Sequence, residues 1–428
     1  MLLGAALVAL VGHPAAGADL GRFKRAWGEA ARQEGEARTK AQAAALEALA
    51  QEPDPKGADL LLRFALDPAL EFPARDAAQA ALAQSLGSPE VLAWAAEALA
   101  AKGKAPRKVV LCEALAPRAA EPKATVALLA ALADKEPAAA SAAVRALAGV
   151  KDRAVVAALV DLLGKSQGRL AGDAREALEG LTGERHPSAE EWKSWWAAHQ
   201  EGYDPAAPRP APEGEGGAEE GGRSRTITRL APPGKGGRTV YERVESQRVL
   251  FVVDVSGSMQ VRTLDSEQRD RSRLEYVKEA LSAAIEEQLP EEAQFGVIAF
   301  SSAVQAMKPK LIKASAANKK KAVAWVRGLR LQGETNVYAA LEAAFAVPGV
   351  DTIYFLGDGV ASEGKTIITT ELLGQVRRWN AGRGVKIHTI GFLAGDGKAL
   401  GIVQDKGMAK ELLGALAKDN DGTSRFFE

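Results

Sequence analysis

Three closely spaced residues with oxygen-bearing side chains, Asp254, Ser256 and Ser258, are the strongest candidates for chemistry in this sequence. They follow directly on the apolar run at residues 249–253. Alternate spacing along a tight loop would direct both serine side chains at one ion, and Mg²⁺ prefers such hard oxygen ligands in a near-octahedral array. The same residue types also cap helices. The three residues alone therefore leave a metal site and a helix cap as open interpretations.

The Asp-x-Ser-x-Ser pattern resembles the metal-ion-dependent adhesion site of von Willebrand factor A (VWFA)-like domains, and the resemblance extends from about residue 246 to the C-terminus. The family's threonine matches Thr335, in a loop that opens a predicted helix, and its second aspartate matches Asp358, at a predicted strand end. Gly357 departs from many relatives, which carry Ser or Thr there, but this change removes no ligand.

The resemblance implies a complete site for Mg²⁺, or for Mn²⁺ or Ca²⁺. Its metal ligands would be Asp254, Ser256, Ser258, Thr335 and Asp358, bound directly or through water. In the family, one coordination position is left for an Asp or Glu carboxylate of a protein partner. With Thr335 and Asp358 in place, we favour the metal site over the helix cap.

A second pattern, at residues 359–366, fits the phosphate-binding P-loop sequence G-x-x-x-x-G-K-[ST] and follows a predicted strand. It would make Lys365 a phosphate ligand and the protein a nucleotide-binding enzyme. However, the preceding strand already ends in Asp358, which the metal site would use, and no later apolar strand ends in an aspartate suited to nucleotide-bound magnesium. We interpret the match as a coincidence. The sequence also shows no Ser/His/Asp or Cys/His arrangement typical of a hydrolase.

Short apolar runs alternate with helix-period segments throughout the C-terminal half. The runs lie at residues 249–253, 295–300, 353–356, 385–390 and 425–427, and the helical segments at 274–289, 316–326, 338–345, 371–379 and 409–416. This alternation predicts an α/β doubly wound, mostly parallel sheet with helices on both faces, the Rossmann-like arrangement of the VWFA fold. Ligands of such sheets bind at the carboxyl ends of the strands, where Asp254 and Asp358 are predicted to lie.

The N-terminal half contains a repeat. An Ala-Leu pair closes an amphipathic segment at Leu49, Leu82, Leu115, Leu147 and Leu178, with spacings of 33, 33, 32 and 31 residues, and a second apolar run follows each of the first four copies. Two helices per repeat that cannot bury their apolar faces alone predict stacked hairpins, a HEAT-like solenoid. A final helix with Trp192, Trp195 and Trp196 is predicted to seal the end of this stack rather than to bind a ligand.

Composition changes at both ends of this helical region. Residues 1–18 combine an apolar run, too short for a membrane span, with an Ala-x-Ala-like cleavage site, and are predicted to be a signal peptide for export to the periplasm or the extracellular space. Residues 201–238 are rich in Pro, Gly and Glu and are predicted to be a disordered linker. The predicted domains are therefore the helical repeat at 19–200 and the VWFA-like domain at 239–428.

Charge and cysteine content exclude several classes of function. The 428 residues contain 55 Lys plus Arg and 55 Asp plus Glu, so there is no basic excess to suggest a nucleic-acid partner. The single cysteine excludes a disulfide framework and a multi-cysteine metal site.

We expect a non-enzymatic, exported binding protein of adhesion type, in which the helical repeat is a scaffold. Two alternatives remain. One is an accessory subunit that recruits an ATPase or chelatase, and the other is the nucleotide-binding enzyme of the P-loop match.

Overall fold

The computed structural model describes residues 19–205, 207, 224–227, 241, 244–264, 270–359, 361–393 and 405–427. The predicted signal peptide at residues 1–18 and most of the predicted linker lie outside these residues. The described chain forms two compact units. The first contains residues 19–164, 173–207 and 381–383 where described, and the second contains residues 165–172 together with the described residues of 208–380 and 384–428.

The N-terminal α-helices make up the first unit, except that residues 165–172, at the end of one helix and the start of the next, belong to the second unit. In chain order these helices are α1 (Leu20–Ala30), α2 (Gly35–Gln51), α3 (Pro55–Leu66), α4 (Phe72–Ser85), α5 (Pro89–Ala100), α6 (Ala105–Leu115), α7 (Pro122–Ala131), α8 (Pro137–Leu147), α9 (Arg153–Lys165), α10 (Gly168–Thr182) and α11 (Ala189–His199). Four of them, α3, α5, α7 and α8, begin with proline. Proline suits this position because its fixed φ matches the helix and the amide that it lacks would have no intrahelical partner there.

The five periodic leucines lie in every second helix, from α2 to α10, and all five are buried. Helices also pack against the next helix but one, α2 against α4 and α6 against α8, while α3 packs against α5 and α5 against α7. The repeating pair of helices expected from the sequence is therefore present. That these pairs are HEAT-like repeats stays a prediction.

The last helix of the unit, α11, starts at a capping box in which Ser188 and Glu191 each bond the backbone N–H of the other. Trp192 is fully buried, and its ring meets those of His186 and Trp195 edge to face. Burial of Trp192 agrees with the expected sealing of an exposed end.

The second unit is built on an eight-stranded sheet of order β1-β10-β9-β8-β2-β5-β6, with β7 also paired to β5. Its strands are β1 (Ser224–Ile227), β2 (Arg248–Asp254), β5 (Gln294–Phe300), β6 (Val304–Ala306), β7 (Ile312–Lys313), β8 (Thr352–Gly357), β9 (Lys386–Phe392) and β10 (Ser424–Phe427), while β3 (Arg262–Leu264) and β4 (Asp270–Ser272) form a separate hairpin. All pairs from β1 to β5 along this order are parallel, and only β6 and β7 run antiparallel to β5.

Helices cover both faces of this sheet. They are α12 (Arg273–Ala283), which continues as a π-helical turn at Ala284–Gln288, α13 (Ala316–Gly328), α14 (Val337–Ala346), α15 (Thr369–Asn380) and α16 (Lys406–Lys418). Phe251 and Val253 join the core on the α12 and α13 face, and Leu250 and Val252 join the core on the α14, α15 and α16 face. Central parallel strands buried on both faces explain why the runs in the sequence are continuously apolar.

The predicted α/β doubly wound, mostly parallel fold is confirmed. Each predicted apolar run lies in a strand and each predicted helical segment in a helix, apart from the end residues Val385 and Leu289. The short strands β3, β4, β6 and β7 were not predicted. Strand β1 also departs from the prediction of a disordered linker, because Ser224–Ile227 pairs in parallel with β10. Pairing with a strand about 200 residues away supplies backbone hydrogen bonds that composition alone does not reveal.

None of the helices in the described part of the chain is both long and apolar enough to cross a membrane.

The repeat positions should determine the stability of the helical unit. Leu82→Ala removes a fully buried side chain and should lower the free energy of unfolding by about 2–5 kcal/mol, because the methyl groups are lost and a cavity remains. Val126→Ala is the control, since Val126 is 67% exposed, and it should change stability by less than about 0.5 kcal/mol. Urea unfolding followed by far-ultraviolet circular dichroism measures both changes. Equal effects would contradict the stacked arrangement.

Candidate metal centre

The predicted ligands lie where the direction of strand addition reverses. Strand β2 is paired with β5 on one side and with β8 on the other. The chain adds β5 first and then crosses β2 to add β8. Asp254 is the last residue of β2 and Asp358 follows the last residue of β8. Such a reversal leaves a crevice beyond the carboxyl ends of the strands, which is the usual ligand site of an open α/β sheet.

Backbone hydrogen bonds connect the loop after β2 with the loop that precedes α14. Val255 N–H donates to Phe300 O (2.8 Å), Gln332 N–H donates to Val255 O (2.8 Å) and Gly257 N–H donates to Gly333 O (3.0 Å). Gly333 has φ +45°, a left-handed conformation that glycine adopts without strain. These bonds bring the Thr335 loop beside the loop that carries Ser256 and Ser258.

The loop after β8 is attached to Thr335 through Ser362. The Thr335 N–H donates to Ser362 Oγ (2.9 Å), and the Ser362 N–H donates to Thr335 O (3.0 Å). The Ser362 hydroxyl then donates to Glu334 Oε2 (2.9 Å). Ser362 was not singled out from the sequence, because its role depends on a loop 27 residues away in the chain.

Asp254, Ser256, Thr335 and Asp358 are all buried, and Ser258 is half-buried. Asp254 Oδ1 accepts a hydrogen bond from Ser256 N–H (2.7 Å), and the hydroxyl oxygens of Ser256 and Ser258 are 3.0 Å apart. Asp254 Oδ2 is also buried and has no hydrogen-bond partner among the described residues. A buried carboxylate oxygen of this kind is costly unless something satisfies it, and a cation beside the two serines would do so.

Gly357 is closely fitted to this carboxylate. A Cβ at residue 357 would lie 3.0 Å from Asp254 Oδ2 and 3.1 Å from Asp254 Cβ, closer than most such contacts. Gly357 therefore leaves space for the Asp254 side chain.

The electrostatics of the site are those of two buried negative groups with one positive group. Burial raises the pKa of Asp254 well above its ordinary value, and repulsion from Asp358 raises it further, while hydrogen bonds from Ser256 and the charge of Arg273 oppose the rise. Arg273 Nη1 lies 3.4 Å from Asp358 Oδ2, and both side chains are 2% exposed.

Arg273 was not predicted from the sequence. It is the first residue of α12, where a positive charge opposes the helix dipole, and it is buried, which is unusual for arginine. An arginine placed immediately after a helix-capping serine was the one available indication in the sequence.

The geometry of the P-loop-like segment, residues 359–366, differs from that of a phosphate-binding loop. Lys365 Nζ forms an ion pair with Glu342 Oε1 (2.8 Å) and lies 5.0 Å from the centroid of the Tyr338 ring. The next helix, α15, begins at Thr369 rather than directly after Thr366. A P-loop needs its lysine and the helix N-terminus directed at one phosphate, and this arrangement does not favour that function.

The donor set fits a hard cation. Within the described ranges, no group of three or more His, Cys, Asp or Glu side chains is placed to hold a metal ion. The five residues instead offer two carboxylates and three hydroxyls, which is an oxygen-only set suited to Mg²⁺, Mn²⁺ or Ca²⁺.

Comparison with known proteins identifies the domain that carries these residues. The family model for the von Willebrand factor type A domain matches residues 249–360. Residues 249–360 form a von Willebrand factor type A domain. The matched segment includes all five predicted ligands.

The relatives are much longer than the region of similarity. Von Willebrand factor A domain-containing protein 3B of Homo sapiens is 26% identical over 157 residues, which are 37% of this chain and 11% of that protein. Inter-alpha-trypsin inhibitor heavy chain H4 of Bos taurus is 34% identical over 95 residues, 22% of this chain and 9% of that protein. Among solved structures, a von Willebrand factor type A protein from Catenulispora acidiphila gives a TM-score of 0.32 at 20% identity, covering 42% of this chain and 38% of that one.

Replacing Asp254 by asparagine should stabilise the cation-free protein at neutral pH. Because the pKa of Asp254 is raised in the folded state, the folded protein keeps this proton at pH values where the unfolded chain has lost it. The free energy of unfolding of the wild type in EDTA should therefore fall as the pH rises above the ordinary aspartate pKa of about 3.9. Asp254→Asn keeps the acceptor for Ser256 N–H without the charge, so this decline should be smaller in the variant. Thermal unfolding in EDTA across the pH range measures the difference.

Asp351→Asn is the matched control for this experiment. Asp351 accepts a hydrogen bond from the Ser246 hydroxyl (2.6 Å) and lies 3.3 Å from Arg248 Nε, so its charge is compensated. Asparagine should destabilise the protein at this position. If both variants lower stability equally at neutral pH, a cost of burying the Asp254 carboxyl is ruled out.

Proposed function

We propose that this chain is an exported, non-enzymatic binding protein whose A domain binds a protein partner through a divalent cation. The cation is Mg²⁺, or Mn²⁺ or Ca²⁺, and the partner presents an Asp or Glu carboxylate to it. The helical repeat is the scaffold of the protein. Export rests on the apolar run and the Ala-x-Ala-like site within residues 1–18.

The proposal is supported above all by the environment of one atom, Asp254 Oδ2. It is buried, no described residue donates a hydrogen bond to it, and the loop that follows Asp254 carries two serine hydroxyls 3.0 Å apart. In this position a cation would replace the missing hydrogen bond and compensate the charge that burial disfavours. Asp254, Ser256, Ser258, Thr335 and Asp358 would hold the ion, directly or through water. The ion would supply Lewis-acid attraction for one further oxygen ligand.

The charge of the occupied site favours an anionic partner group. Two aspartates contribute two negative charges, Arg273 contributes one positive charge and a divalent cation contributes two. The occupied site therefore has an excess of one positive charge in buried surroundings, where charges interact more strongly than in water. A carboxylate from a partner would neutralise this charge.

Cation binding by the full chain tests the first part of the proposal. We expect Mn²⁺ and Mg²⁺ to bind with a stoichiometry of one in isothermal titration calorimetry. Asp254→Asn should abolish detectable binding because the variant loses a charged ligand while keeping its shape, and Ser256→Ala should weaken binding by roughly tenfold or more. Asp351→Asn should bind as the wild type does. No heat of binding to the wild type, or binding that persists in Asp254→Asn, would exclude the site.

A small carboxylate tests the open coordination position. We expect acetate to displace water from bound Mn²⁺ and so to lower the longitudinal relaxation rate of solvent protons. Acetamide has nearly the same shape without the charge, and it should have little effect. The relaxation rate of the Mn²⁺-loaded full chain is measured while each compound is added. Equal effects of the two compounds would contradict recognition of a carboxylate.

A further inference from the structure

Among the described residues, one buried arginine, Arg273, lies against the proposed metal ligands. The Arg273 side chain is 2% exposed, its Nη1 is 3.4 Å from Asp358 Oδ2, and its charge also acts on Asp254. Its backbone N–H donates to Val261 O (3.0 Å), at the end of the turn that contains Ser258. Arg273 therefore belongs to the same loop system as the proposed ligands, although it cannot bind a cation itself.

Two neighbouring arginines, Arg262 and Arg271, are more exposed to solvent than Arg273. Arg262 forms ion pairs with Asp270 and Glu275, and Arg271 forms one with Glu279. All three carboxylate side chains are at least half-exposed. Such surface pairs contribute little to stability. Arg273 instead opposes the dipole of α12 and is removed from water, and both effects disfavour a positive charge there. The nearby charges of Asp358 and Asp254 oppose these costs.

The charge of the site becomes more positive when a divalent cation binds. The arginine guanidinium stays protonated in proteins. Without a cation, the two aspartates and Arg273 leave at most one negative charge uncompensated, and with a divalent cation they leave one positive charge. The incoming cation therefore meets a positive charge that is already present in a buried site, and this repulsion must weaken its binding.

We propose that Arg273 is a built-in counter-ion, which pairs with Asp358 in the cation-free state and lowers the affinity of the site for divalent cations. This inference rests on the proposed function. Arg273 allows the A domain to fold without a cation, because it compensates one of the two buried carboxylates. It also keeps the affinity low enough for occupancy to respond to the concentration of the cation.

The experiment compares Mn²⁺ binding to the full chain by calorimetry in the wild type, Arg273→Gln, Arg273→Lys and Arg248→Gln. Glutamine can still donate a hydrogen bond to Asp358 but removes the charge, so the dissociation constant should fall by about tenfold or more. Lysine keeps the charge and should stay within about threefold of the wild type. Arg248→Gln removes the same charge at the other end of β2, roughly 20 Å from Asp254 at about 3.3 Å per residue, and should leave the affinity unchanged.

Thermal unfolding gives a second measurement that a purely structural role would not change in the same way. Arg273→Gln should be less stable than the wild type in EDTA, because Asp358 then loses the positive charge beside it. Its rise in Tm on addition of Mn²⁺ should exceed that of the wild type. If Arg273→Gln is unfolded in EDTA, recovery of its fold by Mn²⁺ supports the inference, and failure to recover contradicts it.

The two proposals fail in different ways. If the wild type binds no Mn²⁺, the proposed function is wrong. If the wild type binds Mn²⁺ and Asp254→Asn does not, but Arg273→Gln binds with unchanged or weaker affinity, the metal site stands and the counter-ion role of Arg273 is wrong.

Discussion

Repulsion between two buried carboxylates is the constraint around which the A domain is organised. Asp254 and Asp358 end adjacent parallel strands, and both are almost completely removed from water. Parallel pairing of β2 with β8 brings the carboxyl ends of these strands together. Two such groups cannot both be charged at low cost without a positive charge nearby. Arg273 supplies one such charge, and the unsatisfied oxygen of Asp254 shows that it is not sufficient.

The surrounding loops keep this arrangement in place. Backbone hydrogen bonds connect the loop after β2 with the last residue of β5 and with the loop before α14. Ser362 connects the loop before α14 with the loop after β8. Small residues at Gly333 and Gly357 permit the close approach. Because each connection depends on the others, the hydroxyls of Ser256, Ser258 and Thr335 are positioned by tertiary contacts and not by one local turn. A preorganised oxygen set of this kind reduces the cost of ordering ligands when an ion binds.

The helical unit is organised on a different principle. Its alanine-rich helices bury leucines at every second helix and pack against the next helix but one, so that each pair depends on its neighbours for a complete core. Few charged groups are buried there, and one exception, Lys108, is paired with Asp134. Among the described residues, the candidate metal ligands all lie in the other unit, at the carboxyl ends of its strands and in the loops beside them.

Much of this protein follows from the sequence alone. The apolar runs and helical periods determined the strands and helices of the A domain, because local hydrophobic patterning sets which faces must be buried. The leucine spacing likewise determined the paired helices, and the spacing of Asp254, Ser256 and Ser258 indicated oxygen chemistry. What only the tertiary structure decided was which distant groups meet. The Arg273–Asp358 pair, the contact of Ser362 with Thr335, the fit of Gly357 against Asp254 and the pairing of β1 with β10 all join segments far apart in the chain. No local pattern encodes such contacts, since they arise from strand order and loop closure, and burial at those contacts determines the charge balance of the site.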